Sequence, residues 1–139
     1  YELLFKKQPT AGHRLRHHAF ALAGFVASYI AISYFFTFNP IYNLILSSVI
    51  GFLIIIYQRR DLAVHAWYGG VSFALLYTVF GMFFINLVPE GGLVFGTPSQ
   101  LSNITVLNFP LEEILYAFSF GIMWAPMYEY WKGYRLKRA

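Results

Sequence analysis

Long runs without charge are the first feature of this chain. From residue 19 to residue 57 no Asp, Glu, Lys or Arg occurs, which is too long for one crossing of a bilayer core that takes about 20 helical residues. Asn39-Pro40 divides the run, because the residue before a proline is held out of the helical region and the pair favours a turn. The pattern predicts a helix over 19–38 and a second over 40–57, packed as an antiparallel hairpin. The sequence QRRD at 58–61 is a charged turn, with Asp61 placed to cap a third helix over 62–88. That helix would reach about 40 Å against a hydrocarbon core of about 30 Å. It must tilt, kink or protrude, and Gly69-Gly70 and Gly81 are candidate bends.

Residues 89–109 mix Gly, Pro, Ser and Asn with scattered apolar positions. They read as a loop, with a short re-entrant or interfacial piece near 94–106. The last apolar run, 110–131, predicts a fourth helix opened by Pro110, capped by Asn108 or Phe109 and bent at Pro126. Two adjacent carboxylates, Glu112 and Glu113, fall in its first turn. There the unpaired amides and the helix dipole favour negative charge, whereas hydrocarbon disfavours it.

Composition settles the class. At 58% apolar, 21% aromatic and 12% charged residues, the chain is too apolar for an ordinary soluble domain and reads as an all-α integral membrane protein with a bundle of four helices. The divisions are a basic segment at 1–18, a transmembrane domain at 19–131 and a basic tail at 132–139. The formal charge of +4 does not indicate nucleic acid, because all ten Lys and Arg gather at 6–16, 59–60 and 132–138. With four spans these patches share one face and the loop with Glu90 takes the other, which is the positive-inside pattern. Both ends are therefore expected in the cytoplasm. The chain opens at Tyr1 with no signal-peptide pattern, so its natural start is expected upstream.

The lack of cysteine excludes disulfides, thiolate catalysis and Cys-ligated metals. His13, His17 and His18 are of a type that holds metals, but with no neighbouring carboxylate in their segment they read as a solvated basic flank, and His65 reads as a headgroup-level histidine in preference to a proton relay; no metal site is expected. Asn103-Ile104-Thr105 matches a glycosylation sequon, too short a pattern to carry function. Ala23, Ala27 and Ala31, and Ser47 with Gly51, are small-residue rows suited to helix packing in lipid.

At helical spacing Glu112 shares a face with Tyr116, Ser119 and Met123, and Glu113 with Ala117, Phe120, Trp124 and Met127. An ionisable pair at a membrane boundary reads either as an acid or base facing a cavity, or as carboxylates that end a span at the headgroups.

The run PLEEILYAFSFGIMW at 110–124, followed by Tyr128-Glu129, and the RRDL at 59–62 before a long aromatic helix resemble the lycopene cyclase domain family. This is the small membrane type found as heterodimeric bacterial cyclases and fused in archaeal and fungal carotenoid enzymes. The resemblance covers residues 59–131. It implies a redox-neutral cyclisation of a linear carotenoid in a bacterial or archaeal cytoplasmic membrane, an intramolecular lyase or isomerase reaction that requires no cofactor. Glu112 and Glu113 match the family's acidic pair, with Tyr116 expected to hydrogen-bond Glu112. Phe118, Phe120, Trp124, Phe73, Tyr77, Phe80 and Phe84 are the aromatic candidates for holding carotenoid and stabilising a cation, or else ordinary packing. The family's working unit combines two glutamate-bearing halves and this chain carries one, so a second half or other membrane subunits are expected. A non-catalytic, pigment-binding subunit of a larger membrane complex is the alternative reading.

Overall fold

The computed structural model describes residues 5–7, 15–37, 39–88, 102, 104–106, 109–132 and 134–136. Helix α1, Leu15–Phe35, and helix α2, Pro40–Gln58, form the first hairpin. Pro40 occupies the first turn of α2, and the Asn39 side chain accepts a hydrogen bond from the Ile41 amide at 3.0 Å. The same dipeptide thus breaks the apolar run and caps the helix that follows. The hairpin is antiparallel: the Asn43 amide nitrogen donates to Ser33 Oγ at 3.2 Å near the turn, while Gly51 lies against Phe25 and Gly24 against Ile54 farther along. Ser47 and Gly51 are buried in packing as their spacing suggests. The Ala23, Ala27 and Ala31 row instead faces outward, and α1 packs through Ala21, Gly24 and Phe25.

A single 3₁₀ turn, Arg60–Leu62, leads into helix α3, Ala63–Leu87. Asp61 does not cap α3 with its side chain. It is instead gripped by Arg59, whose Nε and Nη2 donate to the two carboxylate oxygens at 2.9 and 2.7 Å; a fork matched by a planar guanidinium outcompetes a single amide. Helix α3 runs unbroken through the three glycines proposed as bends. Their role is close approach: a Cβ on Gly70 would collide with Ile122, and one on Gly121 would stand 2.8 Å from the Gly70 Cα.

The final apolar run is two helices, α4, Leu111–Trp124, and α5, Met127–Lys132. Pro126 lacks the amide that would continue the ladder, so the run is interrupted by a turn at Ala125–Pro126, although Ala125 keeps helical backbone and donates to the Gly121 carbonyl, and Pro126 accepts from the Tyr130 amide. Helix α4 lies between α2 and α3, parallel to α2 and antiparallel to α3, so the helices form a row in the order α1, α2, α4, α3. The core cluster of Ala21, Ile55, Leu62, Met123 and Tyr130 sits toward the basic end of that row.

Two short antiparallel ribbons were not anticipated. Strand β1, Phe5–Lys7, pairs with β4, Tyr134–Leu136. Strand β2, Thr105–Val106, pairs with β3, Phe109–Pro110. The cap expected at Asn108, the flanking His13, Asn103 of the sequon and most of the 89–109 loop lie outside the described residues. Two segments are long and apolar enough to cross a membrane, Pro40–Gln58 and Arg60–Leu87, with mean hydropathies of 2.0 and 1.8. The apolar part of α1, Ala19–Phe35, is shorter. Helix α4, at 14 residues, is about 21 Å long and falls short of a core of about 30 Å without α5.

Candidate functional site: two carboxyls held from opposite sides

Helix α4 starts one residue later than its sequence suggests, with Pro110 as the cap in extended backbone rather than as the first helical residue. No side chain caps it. The Leu111 amide donates to the Ile104 carbonyl at 2.9 Å, and Ser102 and Ile104, next to the β2–β3 ribbon, lie over the helix start. Glu112 and Glu113 follow in the first turn, and both are buried, at 3% and 8% exposure.

Adjacent helical residues point about 100° apart, and here that angle sends the two carboxyls into different grooves. Glu112 turns toward α2, where its Oε1 accepts from the Ser102 amide at 2.6 Å and from the Tyr42 hydroxyl at 3.1 Å. Its Oε2 is buried with no hydrogen-bond partner among the described residues. Glu113 turns toward α3, where its Oε2 accepts from the Tyr77 hydroxyl at 2.8 Å.

The hydrogen bond expected from Tyr116 to Glu112 is therefore made by Tyr42 instead. Tyr116 packs its ring edge-on to Tyr77 and tilted against Phe120, on the Glu113 side. Tyr77 is the hub, with Phe73 at 6.2 Å, Phe109 at 6.0 Å and Tyr116 at 6.2 Å between ring centroids. From there the rings continue along α4 through Phe120 to Trp124, at spacings of 5.7 and 5.5 Å. Phe73 joins the run at Phe120.

Of the aromatic candidates, Phe73, Tyr77, Phe120 and Trp124 thus form one run that starts at Glu113 with Tyr77 and ends at Trp124. Phe118 is not part of that run: it pairs edge-on with Trp67. Phe80 is 72% exposed on the outer side of α3. Three participants escaped the sequence reading, namely Tyr42, the Ser102 amide and Phe109. Phe109 is fully buried and lies where a Cβ on Gly81 would strike its ring. Its position beside the proline was the one available signal, whereas Tyr42 stands 70 residues from its partner.

A second polar group closes the other end of the row. His65 Nε2 lies 3.5 Å from Glu129 Oε2, and the Tyr130 hydroxyl donates to Gln58 Oε1 at 2.7 Å. Along the helices this is about 24 Å from the glutamate pair, and it anchors α5 to α3 and α2. No group of three or more metal-ligating side chains occurs among the described residues.

No curated protein and no solved structure gives a significant match to the chain. The family model described as lycopene cyclase matches residues 39–131. That span holds α2, α3, α4 and both tyrosines that reach the glutamates, and over more than half its length the chain thereby belongs to the lycopene cyclase family.

Proposed function

We propose that this chain, alone or joined to a second glutamate-bearing half, cyclises the end group of a linear carotenoid in the membrane. The observation that carries the reading is a buried carboxyl pair on one helix turn beside a continuous run of aromatic rings. Family membership makes a carotenoid the substrate class.

The chemistry conserves electrons and atoms. A carboxyl proton passes to one carbon of the terminal double bond, whose π electrons form the new C–H bond and leave a cation on the neighbouring carbon. The next double bond along the chain attacks that cation and closes the ring. Loss of a ring proton to a carboxylate restores a double bond, so product and substrate are isomers and no redox cofactor is involved. A carboxyl of the glutamate pair supplies the proton and a carboxylate retrieves it, while ring faces stabilise the cation without attacking it. Burial keeps water from trapping the cation.

Four crossings support the reading best, with α4 and α5 together making the last. The β1–β4 ribbon joins the segment before α1 to the segment after α5, in keeping with both ends lying on one face. The basic residues of that face orient it toward the cytoplasm. A scaffold role inside a larger complex remains the competing reading, favoured by the single glutamate helix. Stoichiometric co-purification with other subunits and no turnover would establish it.

The test is expression of the full-length chain, with and without a partner half, in cells that accumulate lycopene, followed by pigment chromatography. Ring-bearing carotenoid is expected, and replacing both glutamates by glutamine should lower its formation by about a hundredfold or more. Wild-type ring formation in both Glu112→Gln and Glu113→Gln would show the acid/base assignment to be wrong.

A further inference from the structure

We infer that the two carboxyls divide the work: Glu113 is the one that meets the polyene, Tyr77 is its positioning residue, and Glu112 chiefly ties the segment before α4 to α2. The inference rests on the cyclase reading and deepens it.

It follows from which groove each carboxyl enters. The groove between α3 and α4 is lined by rings, and Tyr77 joins its two parts: the same side chain that donates to Glu113 at 2.8 Å touches Phe73, Phe109 and Tyr116. A polyene lying along Phe120 and Trp124 would bring its end to Glu113. Cation formation at that end would then occur among π faces. Phe73 and Trp124 are only partly covered, at 36% and 39% exposure, so the run is open to an apolar ligand from the membrane side.

The α2 side of α4 differs in kind. Glu112 Oε1 takes two donors there, a backbone amide and the Tyr42 hydroxyl. Tyr42 makes no ring contact among the described residues. Two donors on one oxygen, one of them from the segment just before the helix, describe a fastening. Along that face α4 continues into Met123, which packs against Gly51 and Phe25 rather than against an open aromatic run.

A single hydroxyl on Glu113 also fixes which of its oxygens is free. With Oε2 held by Tyr77, Oε1 is the atom left to exchange the proton with carbon. Tyr77 acts through that carboxyl and needs no contact with the reacting carbons, which distinguishes a positioning residue from an acid.

The experiment compares four single variants of the full-length chain, with its partner half where one is required, in membranes supplied with lycopene. Glu112→Gln keeps an oxygen for the Ser102 amide and Tyr42, which is all the fastening needs, whereas Glu113→Gln removes the proton donor itself. Glu113→Gln should therefore lose about a hundredfold or more in turnover, and at least about tenfold more than Glu112→Gln. Tyr77→Phe should lower kcat about tenfold with KM within about threefold, and displace the pH–rate profile; Tyr42→Phe should leave the profile in place. The assignment is overturned if Glu112→Gln falls as far as Glu113→Gln, or if Tyr77→Phe and Tyr42→Phe are indistinguishable in their pH profiles. Should Tyr77→Phe not accumulate in membranes, the glutamine pair decides alone. A wild-type chain that forms no ring removes the cyclase reading and this assignment with it, whereas failure of the assignment alone leaves wild-type turnover intact.

Discussion

Each carboxyl of the glutamate pair takes a phenol from a different neighbouring helix, Tyr42 from α2 and Tyr77 from α3. A buried carboxyl without partners is costly, and hydroxyl donors from both flanks let one helix turn carry two. Phe109 is the apolar counterpart, fully buried against Gly81 and edge-on to Tyr77. Phe109→Ala should therefore destabilise the fold by about 3 kcal/mol, read as a lower thermal midpoint in detergent micelles. At the basic end, His65→Ala should cost about 1 kcal/mol and loosen α5, read as faster proteolysis after residue 125. The pair itself was legible because two charges stand out in an otherwise apolar run. Its partners were not, since spacing on one helix favoured Tyr116 at four residues, and nothing in linear sequence ties Tyr42 to a carboxyl 70 residues away.

The helices obey their boundary residues more closely than their apolar lengths. Asn39-Pro40 both stops α1 and starts α2, as written in the sequence, but α1 ends at Phe35, three residues before the expected limit of 38. The start of α4 was less legible because a backbone carbonyl next to the ribbon, rather than a side chain, satisfies its first amide. Asp61 went to Arg59 for the same general reason: a cap competes with every donor nearby. The glycines of α3 read equally as bends or as close contacts, and only the neighbouring helix decides between these. Their role makes a sharp prediction. Gly70→Leu should drive α3 and α4 apart at Ile122 and Phe118 and destabilise the pair by about 1–3 kcal/mol, measured as a lower melting temperature. Gly121→Leu should do the same from the other side, against Gly69 and Gly70.

The molecule as a whole is a row with the glutamate helix inside it, flanked by α2 and α3. That order was not legible in the sequence, because α2 and α3 are consecutive yet separated in space by the later α4. The two helices long and apolar enough to cross a membrane were legible in the charge-free runs, and the ribbon between the two ends adds a tie that no hydropathy pattern contains. If the row crosses the bilayer with its basic end inside, cysteines at Thr37 and Arg60 should label from opposite faces of intact cells and inverted vesicles with an impermeant thiol reagent. Labelling of both from outside would remove the α2 crossing, and labelling of Arg60 alone from outside would reverse the orientation. The central claim is that a carboxyl proton initiates a redox-neutral ring closure, and its most direct measurement is the mass of the cyclic product formed from lycopene in heavy water. Proton-initiated closure predicts one deuterium on carbon for each ring formed, no change of mass in ordinary water, and loss of both product and label when Glu112 and Glu113 are glutamine. A cyclic product without deuterium, or one differing in hydrogen count from its substrate in ordinary water, would contradict it.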